Sequence, residues 1–355
     1  MNIVHIICSL NTGGAELLLI DLARCQSELG HTVSIIIVND SYERALIDSI
    51  DPRVKVRLVH RPEGSRNPLY ILKLYASIRR LHPDVIHFHN DSAAKIAPLF
   101  KKTIRVGTIH CPGINIQNYT KLDAIISISQ AVADDLEARQ GISSDVIING
   151  IDFDAINSNP LPYSENKTFR IVQTGRMRCS IKGQDIMTKA TAILTKRGYN
   201  VSVDLIGEPN DRDVIHELAT ELSVTDCVHI LGRKSREYVY KNLCTYHLGV
   251  MPSRLEGFGL SLIEYMAAKI PIVATNVDGP AEILQSNRYG LLCKPEDPED
   301  LAHAIVKVIN NYAQFSAIAQ NCAYAYAYKN FSIENTAINY IQKYESLIIE
   351  KKHNK

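Results

Sequence analysis

The chain predicts an α/β fold built from two doubly wound parallel sheets. Short apolar runs alternate with helical patterns through the first half. The alternation lapses into Asn, Asp, Pro and Ser between Asn149 and Thr168, and restarts at Phe169-Arg170-Ile171-Val172-Gln173. Strand, helix, strand in this rhythm gives a parallel sheet with helices on both faces. Crossovers in such a sheet are right-handed. The lapse reads as a linker. A length of 355 residues suits two domains.

Taken in order, Ile3 to Cys8 reads as the first strand. The loop Ser9-Leu10-Asn11-Thr12-Gly13-Gly14 leads to a helix from Ala15 to Leu29, which Gly30 ends. Thr32 to Val38 is the next strand, and a helix follows near Leu69 to Leu81. Strands are expected at Asp84 to His89, Val106 to His110 and Ala124 to Ser127, then a helix near Gln130 to Ala138. The second half predicts strands at Phe169, Val201 to Ile206, Val228 to Leu231, Leu248 to Met251 and Ile272 to Ala274. A last helix is expected near Glu334 to Lys351. The expected domains are residues 1–160 and 168–325, with 331–355 as a terminal helix. Ligands bind such sheets at the carboxyl ends of strands, so a site in the cleft between the two halves is expected.

Composition is that of an ordinary globular protein, with 46% hydrophobic and 22% charged residues. A net charge of +1 gives no global field toward nucleic acid, and no nucleic-acid partner is expected. Locally the balance differs. Residues 53–105 hold twelve basic residues against Glu63, Asp84 and Asp91, a net charge of +9. Such a region suits an anionic surface or acceptor. The eight cysteines form no Cys-x-x-Cys pair, which speaks against a zinc or redox site, and several of them lie in apolar runs and read as small core residues. Met1-Asn2-Ile3-Val4-His5 reads as a strand rather than a signal peptide, and no run is apolar enough to span a bilayer. A reducing, cytoplasmic location is the expectation.

The chemistry concentrates at Pro252-Ser253-Arg254-Leu255-Glu256-Gly257-Phe258-Gly259-Leu260-Ser261-Leu262-Ile263-Glu264. Pro252 stops a strand. Gly257 and Gly259 allow close backbone approach, and Leu260, Leu262, Ile263 and Met266 recur at helical spacing. The first amides of that helix favour an anion. Glu256 at its mouth and Glu264 about two turns on can accept from sugar hydroxyls. Gly175-Arg176 and Lys182-Gly183 put two cations where a sheet's carboxyl edge meets a helix, which suits a diphosphate or, more plainly, a solvated basic loop. Gly13-Gly14 is either a backbone cradle or a simple turn, and it does not complete Gly-x-Gly-x-x-Gly. His87-x-His89 shares a strand face, but no third metal ligand of suitable spacing is visible. Asp152-Phe153-Asp154 and Asp211-Arg212-Asp213 read as solvated loops.

The words Glu-Gly-Phe-Gly-Leu-x-x-x-Glu-x-Met-Ala-Ala, with Gly279-Pro280-Ala281-Glu282-Ile283 beyond the next strand, resemble the signature of retaining nucleotide-sugar glycosyltransferases of family four. The resemblance covers nearly the whole chain, more strongly in its second half. It implies the GT-B fold, two Rossmann-like domains facing a cleft, with the last helix returning to the first domain. It implies that Glu256 holds donor-sugar hydroxyls, with Gly257, Phe258, Gly259 and Leu260 supporting sugar and phosphate. It implies that Glu264 takes the ribose, and that Arg176 and Lys182 clamp the diphosphate. His110 matches the first-domain histidine that meets the transferred sugar, Gly14 joins the donor-binding set, and Leu231 lies on the strand facing the base. Asn149-Gly150-Ile151-Asp152 matches the family's hinge. No metal, no cofactor and no protein nucleophile are implied. Ser261 and Tyr265 stand where the family more often has proline and alanine.

The expected partners are a nucleotide sugar, UDP-linked, and a glycan or lipid-linked acceptor of bacterial surface-polysaccharide assembly. The amphipathic stretch Leu69 to Leu81 inside the +9 region reads as a crossover helix whose apolar side packs on the sheet. Its cations would hold the enzyme peripherally at an anionic inner membrane face. The rivals are a nucleotide-sugar epimerase on the same fold and a non-catalytic sugar-nucleotide-binding subunit.

Overall fold

A computed structural model describes residues 1–11, 13–165 and 167–353. The chain divides into two compact units, Met1–Ile151 with Phe331–Lys355, and Asp152–Asn330.

The first unit holds a seven-stranded sheet of β1 (Asn2–Ile7), β2 (Thr32–Asn39), β3 (Lys55–Arg61), β4 (Val85–Phe88), β5 (Ile104–Ile109), β6 (Ala124–Ser127) and β7 (Asp145–Val146). Their order is β3-β2-β1-β4-β5-β6-β7, with every pair parallel. β1 and β2 are covered on both faces, so their sequences are mostly apolar, broken inside by buried His5 and Ser34. Each fully buried Ile or Val there contributes about 1.5–3 kcal/mol. The helix Gly14–Glu28 packs against the last helix, Ile333–His353. Ile333, Tyr340 and Tyr344 of that last helix share one apolar cluster with Ile3, Val85 and Val106.

The second unit holds β8 (Phe169–Thr174), β9 (Val201–Ile206), β10 (Val228–Gly232), β11 (Leu248–Met251), β12 (Ile272–Thr275) and β13 (Leu291–Cys293). Their order is β10-β9-β8-β11-β12-β13, again parallel. The order reverses at β1/β4 in one sheet and at β8/β11 in the other. Each reversal opens a crevice at the carboxyl edge.

Several expectations need correction. β3 lies outside the expected strands; on this edge strand Lys55 and Arg57 alternate with Val56 and Leu58. β7 and β13 are too short to leave a pattern. Residues 152–160 pack with the second unit rather than the first. Phe153 is buried against the rings of Tyr324 and Tyr328, and the Asn157 amide donates to the Tyr240 carbonyl at 3.1 Å. The helix Pro68–Arg79, capped by Asn67 accepting from the Leu69 amide, buries only Leu74 and Ile78. Leu69, Ile71 and Leu72 are 59%, 56% and 61% exposed, because two inward positions saturate the contact with the sheet. All eight cysteines are free; Cys25, Cys179, Cys244 and Cys293 are buried, while Cys111 and Cys322 are exposed. Among the described residues no helix is long and apolar enough to cross a membrane.

Candidate active site

In the second unit, the loops after β8 and β11 meet at the topological reversal. Gly183 has φ +66°, and a Cβ there would collide with the Pro252 carbonyl, so only glycine lets the two loops touch. The Arg254 amide donates to the Ile181 carbonyl at 2.7 Å. The Arg254 guanidinium grips Asp185 with two bonds, of 2.8 and 2.9 Å. Burial would raise the Asp185 carboxyl, but Arg254 outweighs it and holds the group below its usual range. Gln173 Nε2 donates to the Lys182 carbonyl at 2.8 Å. These contacts bring the Lys182 ammonium to 2.5 Å from Glu256 Oε2, with the two side chains 29% and 14% exposed.

The backbone beyond Glu256 is equally constrained. The Glu256 carbonyl accepts from the Gly279 amide at 3.2 Å, and a Cβ on Gly279 would collide with the Phe258 carbonyl. Phe258 is buried, Gly257 is half-buried and Gly259 has φ +107°. The helix Leu260–Ala267 starts there. Glu264 lies within it, half-buried, and burial pushes its carboxyl up to about 7 against the opposing pull of Arg236 and the Tyr240 hydroxyl. Arg236 and Tyr240 also line a cavity of about 560 Å³ with Asp152, Asp154 and Asn157.

The departures Ser261 and Tyr265 converge on one residue. The Tyr265 hydroxyl accepts from the Thr174 amide at 2.8 Å and lies 2.9 Å from Thr174 Oγ1, while Ser261 Oγ donates to the Thr174 carbonyl at 3.4 Å. Thr174 ends β8, immediately before Gly175 and Arg176. Arg176 is exposed, and its guanidinium makes no ion pair among the described residues. Its carbonyl accepts from Gln184 Nε2 at 3.2 Å. Leu231 is half-exposed on the edge strand β10, two strands from β8, where the register with β9 shifts. The aspartate triplets are not simply solvated loops. Asp211 Oδ2 accepts from the Cys179 amide at 2.7 Å, and Asp152 Oδ1 accepts from the amides of Asp154 and Ala155. Arg254, Asp185 and Gln173 escape the sequence reading because their partners lie far along the chain.

In the first unit, Gly14 opens its helix and is exposed. Gly150 passes so close to the Ser332 carbonyl that a Cβ would collide with it. His110 follows β5, with Nε2 3.2 Å from His89 Nδ1. Burial lowers its ring to about 4. The third histidine that sequence spacing concealed is His5, which stands beside His87 in the β1/β4 register. His5, His87 and His89 bring ring nitrogens within 4.8 Å of one another.

Residues 161–326 match the family model described as glycosyl transferases group 1, and residues 12–155 that described as glycosyltransferase family 4. An uncharacterized glycosyltransferase of Methanocaldococcus jannaschii is 28% identical over 228 residues, 64% of this chain and 61% of that protein. This chain thus spans less than two thirds of that relative. The lipopolysaccharide core biosynthesis glycosyltransferase LpsE of Rhizobium meliloti is 23% identical over 87% of this chain and 89% of its own. The Anabaena protein Alr3699/HepE, solved with UDP and glucose, superposes with a TM-score of 0.81 at 21% identity, covering 98% of this chain and all of that one. At that identity the likeness concerns the fold, which is GT-B.

Proposed function

Because this chain belongs to the group 1, family 4 glycosyltransferases, we propose that it transfers a sugar from a nucleotide sugar to a glycan acceptor. The donor is UDP-linked, the anomeric configuration is retained, and the acceptor is a lipid-linked glycan of bacterial surface-polysaccharide assembly. The observation that carries this is the Lys182–Glu256 pair, a cation and a carboxylate locked together at the sheet reversal. Glu256 accepts from donor hydroxyls. Lys182 and the exposed Arg176 neutralise the departing diphosphate, the main electrostatic task in such a transfer. A diphosphate competes with Glu256 for Lys182, so donor binding opens the pair and frees the carboxylate for the sugar. Glu264 takes the ribose hydroxyls, Leu231 borders the base and His110 meets the sugar. Gly14 and the backbone of Gly257, Phe258, Gly259 and Leu260 line the donor. HepE, solved with UDP and glucose, supports the choice of donor, and LpsE supports the choice of pathway class.

The exposed face of Pro68–Arg79 supports a peripheral position at the inner face of the cytoplasmic membrane. Leu69, Ile71 and Leu72 stand outward beside Lys73, Arg79 and Arg80. Tyr75 packs its ring 5.2 Å from Phe100, which sets exposed Leu99, Lys101 and Lys102 alongside. Apolar residues that enter the headgroup region among cations suit an anionic bilayer.

The test is a panel of nucleotide sugars incubated with lipid-linked acceptor, with anomeric configuration read by NMR. Transfer with retention, persisting in EDTA, is expected. Conversion of donor alone identifies the epimerase, and binding without turnover identifies the silent subunit. Loss in EDTA restored by manganese overturns the metal-independent route.

A further inference from the structure

Two buried hydrogen-bond chains run through the first unit's sheet. One links Gln26 Oε1 to His5 Nε2 (2.7 Å), His5 Nδ1 to His89 Nε2 (3.0 Å) and His89 Nδ1 to His110 Nε2 (3.2 Å). The other joins Tyr344 to His87 Nδ1 and His87 Nε2 to Thr108, each at 2.7 Å. All six ring nitrogens of His5, His87 and His89 therefore have protein partners. A metal ion at this cluster would take one nitrogen from each ring and displace the bond made there, whereas a relay keeps every bond in place and accounts for the cluster better. The remaining histidine nitrogen of this cluster, His110 Nδ1, is covered and without a hydrogen-bond partner.

A neutral imidazole has one donor and one acceptor nitrogen. Burial keeps the rings of His5, His89 and His110 neutral, lowering each below the usual histidine range. One end of such a chain then dictates every proton in it. An amide oxygen only accepts, so the His5 proton sits on Nε2 and its Nδ1 is bare. His89 must then donate from Nε2, and His110 likewise.

We infer that Gln26, through His5 and His89, fixes His110 in the Nε2–H tautomer, leaving a bare Nδ1 that accepts from a sugar hydroxyl. The consequence is a donor preference. A hexosyl group offers a hydroxyl proton to that lone pair. A uronosyl group offering a carboxylate at the same place presents acceptor to acceptor and is refused. Gln26, His5 and His89 are positioning residues, and the preference rests on the proposed contact between His110 and the transferred sugar.

The test is ¹⁵N-histidine NMR of the full chain at neutral pH, with His110 assigned through His110→Asn. The expected spectrum has His5, His89 and His110 as Nε2–H tautomers. Gln26→Glu, still an acceptor, preserves that pattern, while Gln26→Met lets His110 mix tautomers. Thr108→Val disturbs the same core through His87 and leaves the His110 tautomer unchanged. Nδ1–H at His110 in the wild type overturns the inference, because it means that the Gln26 amide faces His5 with its nitrogen. That measurement needs no mutant to fold. In kinetics, the wild type prefers UDP-glucose to UDP-glucuronate, and Gln26→Met narrows the preference by about tenfold, the worth of one hydrogen bond. An unchanged ratio overturns the specificity. If no donor is turned over, the transfer reading and the preference fall together, while the relay still stands or falls by its spectrum.

Discussion

Lys182 guards the carboxylate it works beside. In the free protein Glu256 is neutralised by Lys182 at 2.5 Å, and removal of either partner strands a half-buried charge. Glu256→Gln is expected to keep the fold and nucleotide binding while losing most transfer. Turnover within about threefold of wild type, worth roughly 0.7 kcal/mol, would remove Glu256 from the site. Arg176→Ala and Lys182→Ala should each slow the chemical step, and the variant combining these two should lose less than the sum, as expected of groups serving one leaving group. Glu264 sets a pH dependence. Its carboxyl is raised from 4.5 to about 7, so it is largely protonated at pH 6 and charged at pH 8. In the role proposed for Glu264, ribose hydroxyls would donate to the charged form, so calorimetry should find UDP bound more tightly at pH 8 than at pH 6. Glu264→Gln should flatten that difference. The sign for stability is opposite. The cost of ionising this buried group is absent below pH 4.5 and fully present above about 7, so Glu264→Gln should gain stability relative to wild type only as pH rises.

At the scale of the element, the helix Leu260–Ala267 holds the end of β8 by side chains as well as by packing. Tyr265→Phe removes the hydroxyl that accepts from the Thr174 amide and leaves that amide without its partner. A loss of about 1–3 kcal/mol in urea unfolding is expected, together with slower transfer as the Arg176 loop loosens. Unchanged kinetics in a destabilised variant would confine Tyr265 to packing. Sequence reading succeeded where an element is covered on both faces. β1, β2 and β11 are dominated by apolar residues and declare themselves. It failed at β3, where the cations of an edge strand interrupt the pattern. In Pro68–Arg79 the helix was legible but its orientation was not, because more apolar residues are present than the sheet can cover. The glycines and charged residues of the site were legible as local words. The contacts between distant segments were not: Arg254 meets Asp185 across 69 positions, and His5 meets His89 across 84.

At the scale of the whole molecule, a near-neutral protein carries one strongly basic region with apolar residues facing outward. Binding to vesicles containing anionic lipid should be reversible and should weaken as salt is raised, at roughly 1 kcal/mol per well-placed cation. Reversal of Arg79, Arg80, Lys101 and Lys102 to Glu should abolish it in sedimentation. Leu69→Ser with Leu72→Ser should weaken it at constant charge. Equal binding to neutral and anionic vesicles would overturn the electrostatic part.

The placement of the last helix has a consequence for biosynthesis. The apolar cluster around Ile3, Val85 and Val106 is completed by Ile333, Tyr340 and Tyr344, residues made after the entire second unit. A ribosome therefore delivers all strands of the first sheet long before the piece that covers them. Through that interval the nascent chain exposes an apolar face, a period in which chaperone capture or misassociation competes with folding. A chain stopped after Asn330 should yield a protease-resistant second unit attached to a first unit that is degraded or aggregates. The same truncation supplied in trans with a peptide of residues 331–355 should recover protection of the first unit.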